Sequence, residues 1–298
     1  MEPVHPDLAR AARWLPRTLV PPLLAPGIRW LTRRMGPPSD SATVTARVRE
    51  LPGGGSARVF VPRSPREESC VLVWIHGGGL IIGAPAQDDR VSHGFASELG
   101  LTVVAPSYPL GPANPFPAAH DALFSALRWV EDELRPDRIV LAGASAGGCL
   151  AAGLALRARE SGPELAALLL VYPMLDDRTL LRDVDGRHHR CWNQRSNRAG
   201  WTAYLGSEVT GPDVSPLAAP GRAEQLAGLP PTWVGVGTHD LFLDEDRRFA
   251  QRLRDAGVDV VEEIVPGAFH GFDLVVPDAG VSKAFFGSQV SFLRGVLG

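Results

Sequence analysis

An α/β fold, with a mainly parallel sheet of eight strands and helices on both faces, is predicted by three features of this 298-residue chain. From residue 71 onward, apolar strand-like runs alternate with stretches of helical spacing, the pattern of strand–helix–strand units whose crossovers leave neighbouring strands parallel. The runs Val71–Ile75, Ile139–Ala142 and Leu168–Tyr172 are continuously apolar, as strands covered on both faces are. Before residue 71 the pattern changes to two alternating segments around Pro52-Gly53-Gly54-Gly55, which reads as a hairpin adding antiparallel strands at one edge.

Taken in order, the first 35 residues are rich in Arg, Leu and Pro. Leu8, Ala12, Leu15 and Leu19, with Trp14, make a partly helical face that Pro16, Pro21, Pro22 and Pro26 interrupt. Trp14, Leu23, Leu24, Trp30 and Leu31 ask for burial, so short packed helices covering another part of the molecule are expected. The hairpin strands are Thr43–Glu50 and Ser56–Val61, followed by strands at Val71–Ile75, Thr102–Ala105, Ile139–Ala142, Leu168–Tyr172, Trp233–Val236 and Val258–Val265. Helices are predicted over about 87–99, 118–134, 146–160, 244–256 and 282–297. From Asp176 to Pro220 there is no β pattern, and His188, His189, Cys191, Trp192, Trp201 and Tyr204 gather there. An insertion of that length between sheet elements is a candidate lid. The chain therefore divides into an N-terminal segment at 1–42, core at 43–175, an inserted segment at 176–220 and core again at 221–298.

Composition narrows the function. Apolar residues are 45% of the chain, enough for a sizeable core, and a net charge of −3 argues against a nucleic-acid partner. Lys283 is the only lysine among many arginines, which speaks of codon usage rather than of function. Cys70, Cys149 and Cys191 are odd in number and scattered, so they suggest buried thiols in a reducing compartment rather than a disulfide framework. His188, His189 and Cys191 lack a further cysteine or acid at ligand spacing, so no metal site is expected. No signal peptide and no apolar run long enough to span a bilayer are read, and a cytoplasmic location is expected.

The chemistry centres on Gly143-Ala144-Ser145-Ala146-Gly147, placed where the strand from Ile139 gives way to a helix of small residues. This is the G-x-S-x-G elbow, a turn too sharp for flanking side chains, which thrusts the serine out against the positive end of the next helix. By itself a Gly-rich turn with an incidental serine would explain it, but three further loops follow strands at the same sheet edge. His76-Gly77-Gly78-Gly79 follows Val71–Ile75, and with the N–H of Ala146, those of Gly78 and Gly79 would make a three-donor oxyanion hole. His76 is expected to shape that loop by hydrogen bonding. Asp240 follows Trp233–Gly237, and His270 lies between Phe269 and Gly271 before the last helix. The order Ser145…Asp240…His270 is the one expected of a triad on the α/β-hydrolase fold. Asp240 is preferred to its acidic neighbours because Asp244 suits a helix N-cap, and Glu245 and Asp246 suit the first turn.

These pieces resemble the bacterial hormone-sensitive-lipase-like family of carboxylesterases. The matching residues are His76-Gly77-Gly78-Gly79, Tyr108-Pro109-Leu110-Gly111-Pro112 with Pro115-Phe116-Pro117-Ala118, Gly143 to Gly148, Tyr172-Pro173-Met174-Leu175-Asp176-Asp177, Asp213-Val214-Ser215-Pro216 and His270-Gly271-Phe272. Trp192 to Asn197, Trp201 and Tyr204-Leu205-Gly206 look like that family's lid. The resemblance implies a helical cap made from the N-terminal helices and the insertion, and action on small short-acyl esters without a metal or organic cofactor. It departs from the family at Ala144, where an acid usually precedes the nucleophile, and at Pro109 and Ala113, where an arginine and an acid are usual. Leu80, Trp192, Trp201, Tyr204 and Phe272 are the candidate pocket residues, with Leu80 standing where relatives often carry an aromatic and so widening the alcohol side. An apolar pocket under a cap predicts acyl chains of roughly two to eight carbons, since each methylene gains only about 0.8 kcal/mol while there is room. Amides, lactones or acyl transfer on the same machinery, and a non-catalytic ligand-binding descendant, are the competing readings; a homodimer is one admissible assembly.

Overall fold

We describe the protein from a computed structural model, which covers residues 2–16, 27 and 35–298. Its sheet has eight strands: β1 (Val44–Glu50), β2 (Ser56–Pro62), β3 (Cys70–Ile75), β4 (Thr102–Pro106), β5 (Arg138–Ala144), β6 (Ala167–Val171), β7 (Thr232–Gly237) and β8 (Val260–Val265). Their spatial order is β1-β2-β4-β3-β5-β6-β7-β8. The first hairpin pairs antiparallel with itself and with β4, and every later pair is parallel.

The described α-helices with bounds are α1 (Ala9–Trp14), α2 (Asp89–Leu99), α3 (Ala118–Trp129), α4 (Ala146–Ser161), α5 (Gln194–Leu205), α6 (Leu243–Asp255), α7 (Phe272–Val275) and α8 (Gly280–Leu297). The period of two along β3 sorts its side chains between two cores. Val71, Val73 and Ile75 enter one with α3, α4 and α6, while Leu72 and Trp74 enter the other with α2 and α8. Because both faces are covered, alternation disappears from the sequence of the central strands, and β3, β6 and β7 are buried at every position.

Two connections position the site. From β3 the chain passes through α2 to β4 on one side, then through α3 to β5 on the other side of β3. The loops leaving β3 and β5 thus flank the point where strand order reverses, the place where open α/β sheets build a crevice at the carboxyl ends of their strands.

Some expectations shift. The 118–134 helix is α-helical only to Trp129, and its last turn, Val130–Leu134, is a π turn. A 3-10 turn, Pro85–Asp88, precedes α2. The edge strand begins at Val260 rather than Val258, because Val258 N–H caps the end of α6 on Leu253 O. Leu8, just before α1, and Ala12 within it are buried, but Trp14 is 86% exposed, contrary to its expected burial. Two residues past Ala12 on a helix is nearly the opposite face, so the helix that buries Ala12 turns Trp14 outward. Leu19, Leu23, Leu24, Trp30 and Leu31, and with them part of the 1–42 segment, lie outside the described residues. Among the described residues, no helix is long and apolar enough to cross a membrane.

Candidate active site

Ser145 sits at the junction of β5 and α4 with φ 57° and ψ −119°. A non-glycine residue there is strained by about 1–3 kcal/mol, and the surroundings hold it in place. Its N–H donates to Val171 O at 2.8 Å, and its carbonyl accepts from Met174 N–H at 3.1 Å, so β6 and the loop after it grip the turn from both ends. The turn also requires Gly147, where a Cβ would lie 2.0 Å from Ile75 O. The first turn of α4 is thereby pressed against the end of β3.

His270 arrives on the loop between β8 and α7. Its Nε2 is 2.9 Å from Ser145 Oγ, and its Nδ1 is 2.7 Å from Asp240 Oδ2. Asp240 follows β7, and its other oxygen, Oδ1, accepts the Phe242 N–H at 3.0 Å. The carboxylate is therefore fixed by a turn and has one oxygen left for the imidazole. Aromatic rings frame His270: Tyr172 edge-on at 4.8 Å, Phe242 at 5.2 Å and Trp192 at 6.4 Å between centroids. All three polar residues are nearly closed off, with Ser145 6%, Asp240 5% and His270 7% exposed. Charge that develops among them meets a low dielectric and few waters.

The neighbouring acids are not all where the helix pattern put them. Asp244 does not cap α6; the residue before that helix is Phe242, without a side-chain cap, and Asp244 is exposed in the first turn. The Asp240–Phe242 turn already occupies the N-terminus of α6, leaving Asp244 outside it. Glu245 and Asp246 are in the first turn as expected, but both are buried. Glu245 Oε1 accepts from Leu175 N–H at 2.7 Å and Asp176 N–H at 3.2 Å, and Oε2 accepts from the Thr179 hydroxyl. Desolvation pushes the Glu245 carboxyl up to about 8 and raises that of Asp246 well above the carboxylate range.

The loop after β3 lies across the elbow. His76 is buried, donates through Nδ1 to Gly77 O at 2.7 Å and stacks on Tyr108 at 4.3 Å; the Tyr108 hydroxyl donates to His76 O at 2.8 Å. Burial lowers the His76 imidazole to about 4, so it is neutral and holds the loop's shape. Among the described residues, the N–H groups of Gly78, Gly79 and Ala146 donate to no protein acceptor. Backbone donors left unpaired in a protein interior are rare, and of these three Gly79 and Ala146 are buried while Gly78 is partly exposed. Gly79 adopts φ +59°, and a Cβ there would lie 2.0 Å from the Trp192 ring. The indole thus rests directly on this loop, and Gly200 of α5 packs against Gly79 O.

Leu80, Trp192, Trp201 and Tyr204 belong to one buried cluster with Met174. Phe272 does not join them: it is fully buried in the other core, with its ring 5.0 Å from Phe285. The first residue of α7 turns away from the imidazole two positions before it, and this removes Phe272 from the candidate pocket. Tyr172 and Phe242, whose rings do contact His270, are not among the site residues that the sequence suggests. The signal for both was proximity in sequence to a strand end at the reactive edge, since Tyr172 follows β6 and Phe242 follows Asp240.

The family profile described as alpha/beta hydrolase fold matches residues 72–274. Carboxylesterase NlhH of Mycobacterium tuberculosis is 36% identical over 238 residues, which span 74% of this chain and 73% of that protein. Esterase LipI of the same species is 34% identical over 238 residues, spanning 77% and 73%. Among solved structures, a bacterial heroin esterase superposes with a TM-score of 0.89 and 33% identity, over 99% of this chain and 98% of that one.

Proposed function

From the premise that the chain belongs to the hormone-sensitive-lipase-like carboxylesterases of the alpha/beta hydrolase fold and is a carboxylic ester hydrolase, we propose that Ser145, His270 and Asp240 are its catalytic triad. The observation that carries this reading is the unbroken hydrogen-bonded chain from Asp240 Oδ2 through both ring nitrogens of His270 to Ser145 Oγ, at 2.7 and 2.9 Å. In this reading His270 Nε2 takes the Ser145 proton as Oγ attacks the ester carbonyl. Asp240 holds the Nδ1–H tautomer and stabilises the imidazolium that forms. The carbonyl oxygen, now anionic, is received by the N–H groups of Gly78, Gly79 and Ala146. His270 then protonates the departing alcohol, and water repeats the sequence on the acyl-enzyme.

Residues 176–220, with the described N-terminal residues, form the cap in this proposal, and the apolar cluster of Leu80, Trp192, Trp201 and Tyr204 receives a short or medium acyl chain of roughly two to eight carbons. Three free, buried cysteines support a reducing, cytoplasmic setting. An organophosphonate should label Ser145 and abolish hydrolysis of a soluble short-chain ester, and Ser145→Ala should be inert. Labelling of another serine, or full activity in Ser145→Ala, overturns the assignment. A panel of acyl esters of increasing length, with matched amides and lactones, tests the substrate class. Faster turnover of long emulsified lipids than of short soluble esters contradicts it.

A further inference from the structure

Away from the catalytic residues, four arginines converge on one cleft. It has a volume of about 340 Å³ and lies between the turn Asp177–Leu181 after β6 and one face of α6. Arg178 and Arg182 reach it from the first side, and Arg248 and Arg252 from the second. On α6, residues 245, 248 and 252 are three and four apart and so share a face.

The charges here are not balanced by the protein. Arg178 is paired with Asp176, Nε to Oδ1 at 2.9 Å and Nη2 to Oδ2 at 2.8 Å. Arg252 donates to Gly221 O at 2.9 Å and to Ala223 O, which orient the guanidinium but leave its charge uncompensated. Among the described residues, the guanidinium groups of Arg182 and Arg248 make no hydrogen bond or ion pair. The only other acid lining the cleft is Glu245, whose oxygens are committed to Leu175, Asp176 and Thr179, and whose buried carboxyl holds its proton up to about pH 8. Four cations thus face a single carboxylate at neutral pH.

Like charges gathered around a concavity repel one another unless an anion joins them. Guanidinium forks match the oxygens of phosphate and carboxylate groups, and forks held by other contacts lose less freedom on binding. The cleft's volume falls within the range of small-molecule pockets, and the chain's net charge of −3 disfavours a polyanionic strand. We propose that this cleft binds the phosphate group of a small molecule, at a site separate from the esterase centre.

The test uses the full chain and two probes, inorganic phosphate and glycerol phosphate, with chloride at matched ionic strength as the control. Thermal unfolding should show a saturable rise in Tm with one or both phosphates and none with chloride. Whichever probe binds more tightly identifies the occupant as free phosphate or as a phosphate monoester. Arg182→Gln/Arg248→Gln should keep wild-type esterase activity, since neither residue touches the catalytic groups, and should bind about tenfold more weakly or worse. No saturable shift in the wild-type protein, the same shift from chloride, or an undiminished shift in the double variant overturns the proposal.

Discussion

Asp240 uses its two oxygens differently, one to close the turn onto Phe242 N–H and one to face His270 Nδ1. Asn in its place keeps an oxygen for the turn but offers an amide N–H₂ toward the imidazole, which then favours the wrong tautomer. Asp240→Asn should therefore unfold at the wild-type temperature while kcat falls by about 10⁴-fold. Asp244 is exposed in the first turn of α6, so Asp244→Ala should cost only about 0.3–1 kcal/mol through the helix dipole and leave kcat unchanged. Paired kinetics and melting curves of the two variants check this, and an active Asp240→Asn beside a folded, inactive Asp244→Ala would reassign the acid. Gly79 is constrained in another way: its positive φ and the indole 2.0 Å from any Cβ leave no place for a side chain. Gly79→Ala should move Trp192 and swing a donor out of line, lowering kcat by about 10²-fold with the sheet intact by circular dichroism. Wild-type kcat in that variant removes Gly79 from the group of donors.

At the scale of elements, β5 and α4 are legible because their chemistry is extreme. β5 joins continuous apolar residues to a glycine turn, and α4 begins with residues too small to hold the sheet at a distance. Leu141, buried in β5 between β3 and β6, has nowhere to relax, so Leu141→Ala should cost about 2–5 kcal/mol in urea unfolding. A loss under about 1 kcal/mol would mean that the sheet centre repacks freely. The same sequence logic misreads the start of α6. Asp244 reads there as an N-cap and Glu245 and Asp246 as first-turn complements to the dipole, whereas Asp244 caps nothing and is the one that stands exposed in the first turn. Glu245 is instead drawn inward because the loop after β6 presents two backbone donors, at Leu175 and Asp176, that have to be met. That demand comes from a segment 70 residues away and leaves no trace in local periodicity. Phe272 fails for the converse reason: although only two residues from His270 in sequence, it is turned by α7 into the opposite core. The serine, acid and histidine stand out in the sequence because each lies just past a strand end, and a parallel sheet brings such ends to one edge. The indole resting on Gly79 depends on how an insertion without β structure folds back, which no pattern of period two or 3.6 encodes.

For the molecule as a whole, buried carboxyls link stability to pH. Asp88, which accepts from Trp74 Nε1 at 2.8 Å, and Glu245 are raised by desolvation from 3.8 and 4.5 to about 7 and about 8. In the unfolded chain both have lost their protons well below pH 6.5, while in the folded protein at that pH Glu245 retains its proton and Asp88 most of its own. A carboxyl with a raised folded value contributes its full stability below the unfolded value and loses it as pH rises through the folded one. Between pH 6.5 and 8.5 the folded state therefore holds more protons on these two carboxyls than the unfolded state does, and their contribution to stability falls as pH rises. One fully retained proton corresponds to about 1.4 kcal/mol per pH unit, so Glu245 alone accounts for a loss of about 2 kcal/mol across that window, and Asp88 adds a smaller part near its lower end. The proposed reaction runs the other way, because His270 must start unprotonated to accept the serine proton, so the rate should rise with pH as that proton is lost. Activity and stability are thus expected to have different optima, with stability greatest on the acid side. Glu245→Gln removes the titration but keeps a carbonyl oxygen for the Leu175 N–H. Urea unfolding at pH 6.5 and 8.5 should show the wild-type protein losing stability and Glu245→Gln losing much less. Equal slopes in the two proteins would mean that Glu245 is already ionised in the folded state, its charge carried by the donors of Leu175, Asp176 and Thr179.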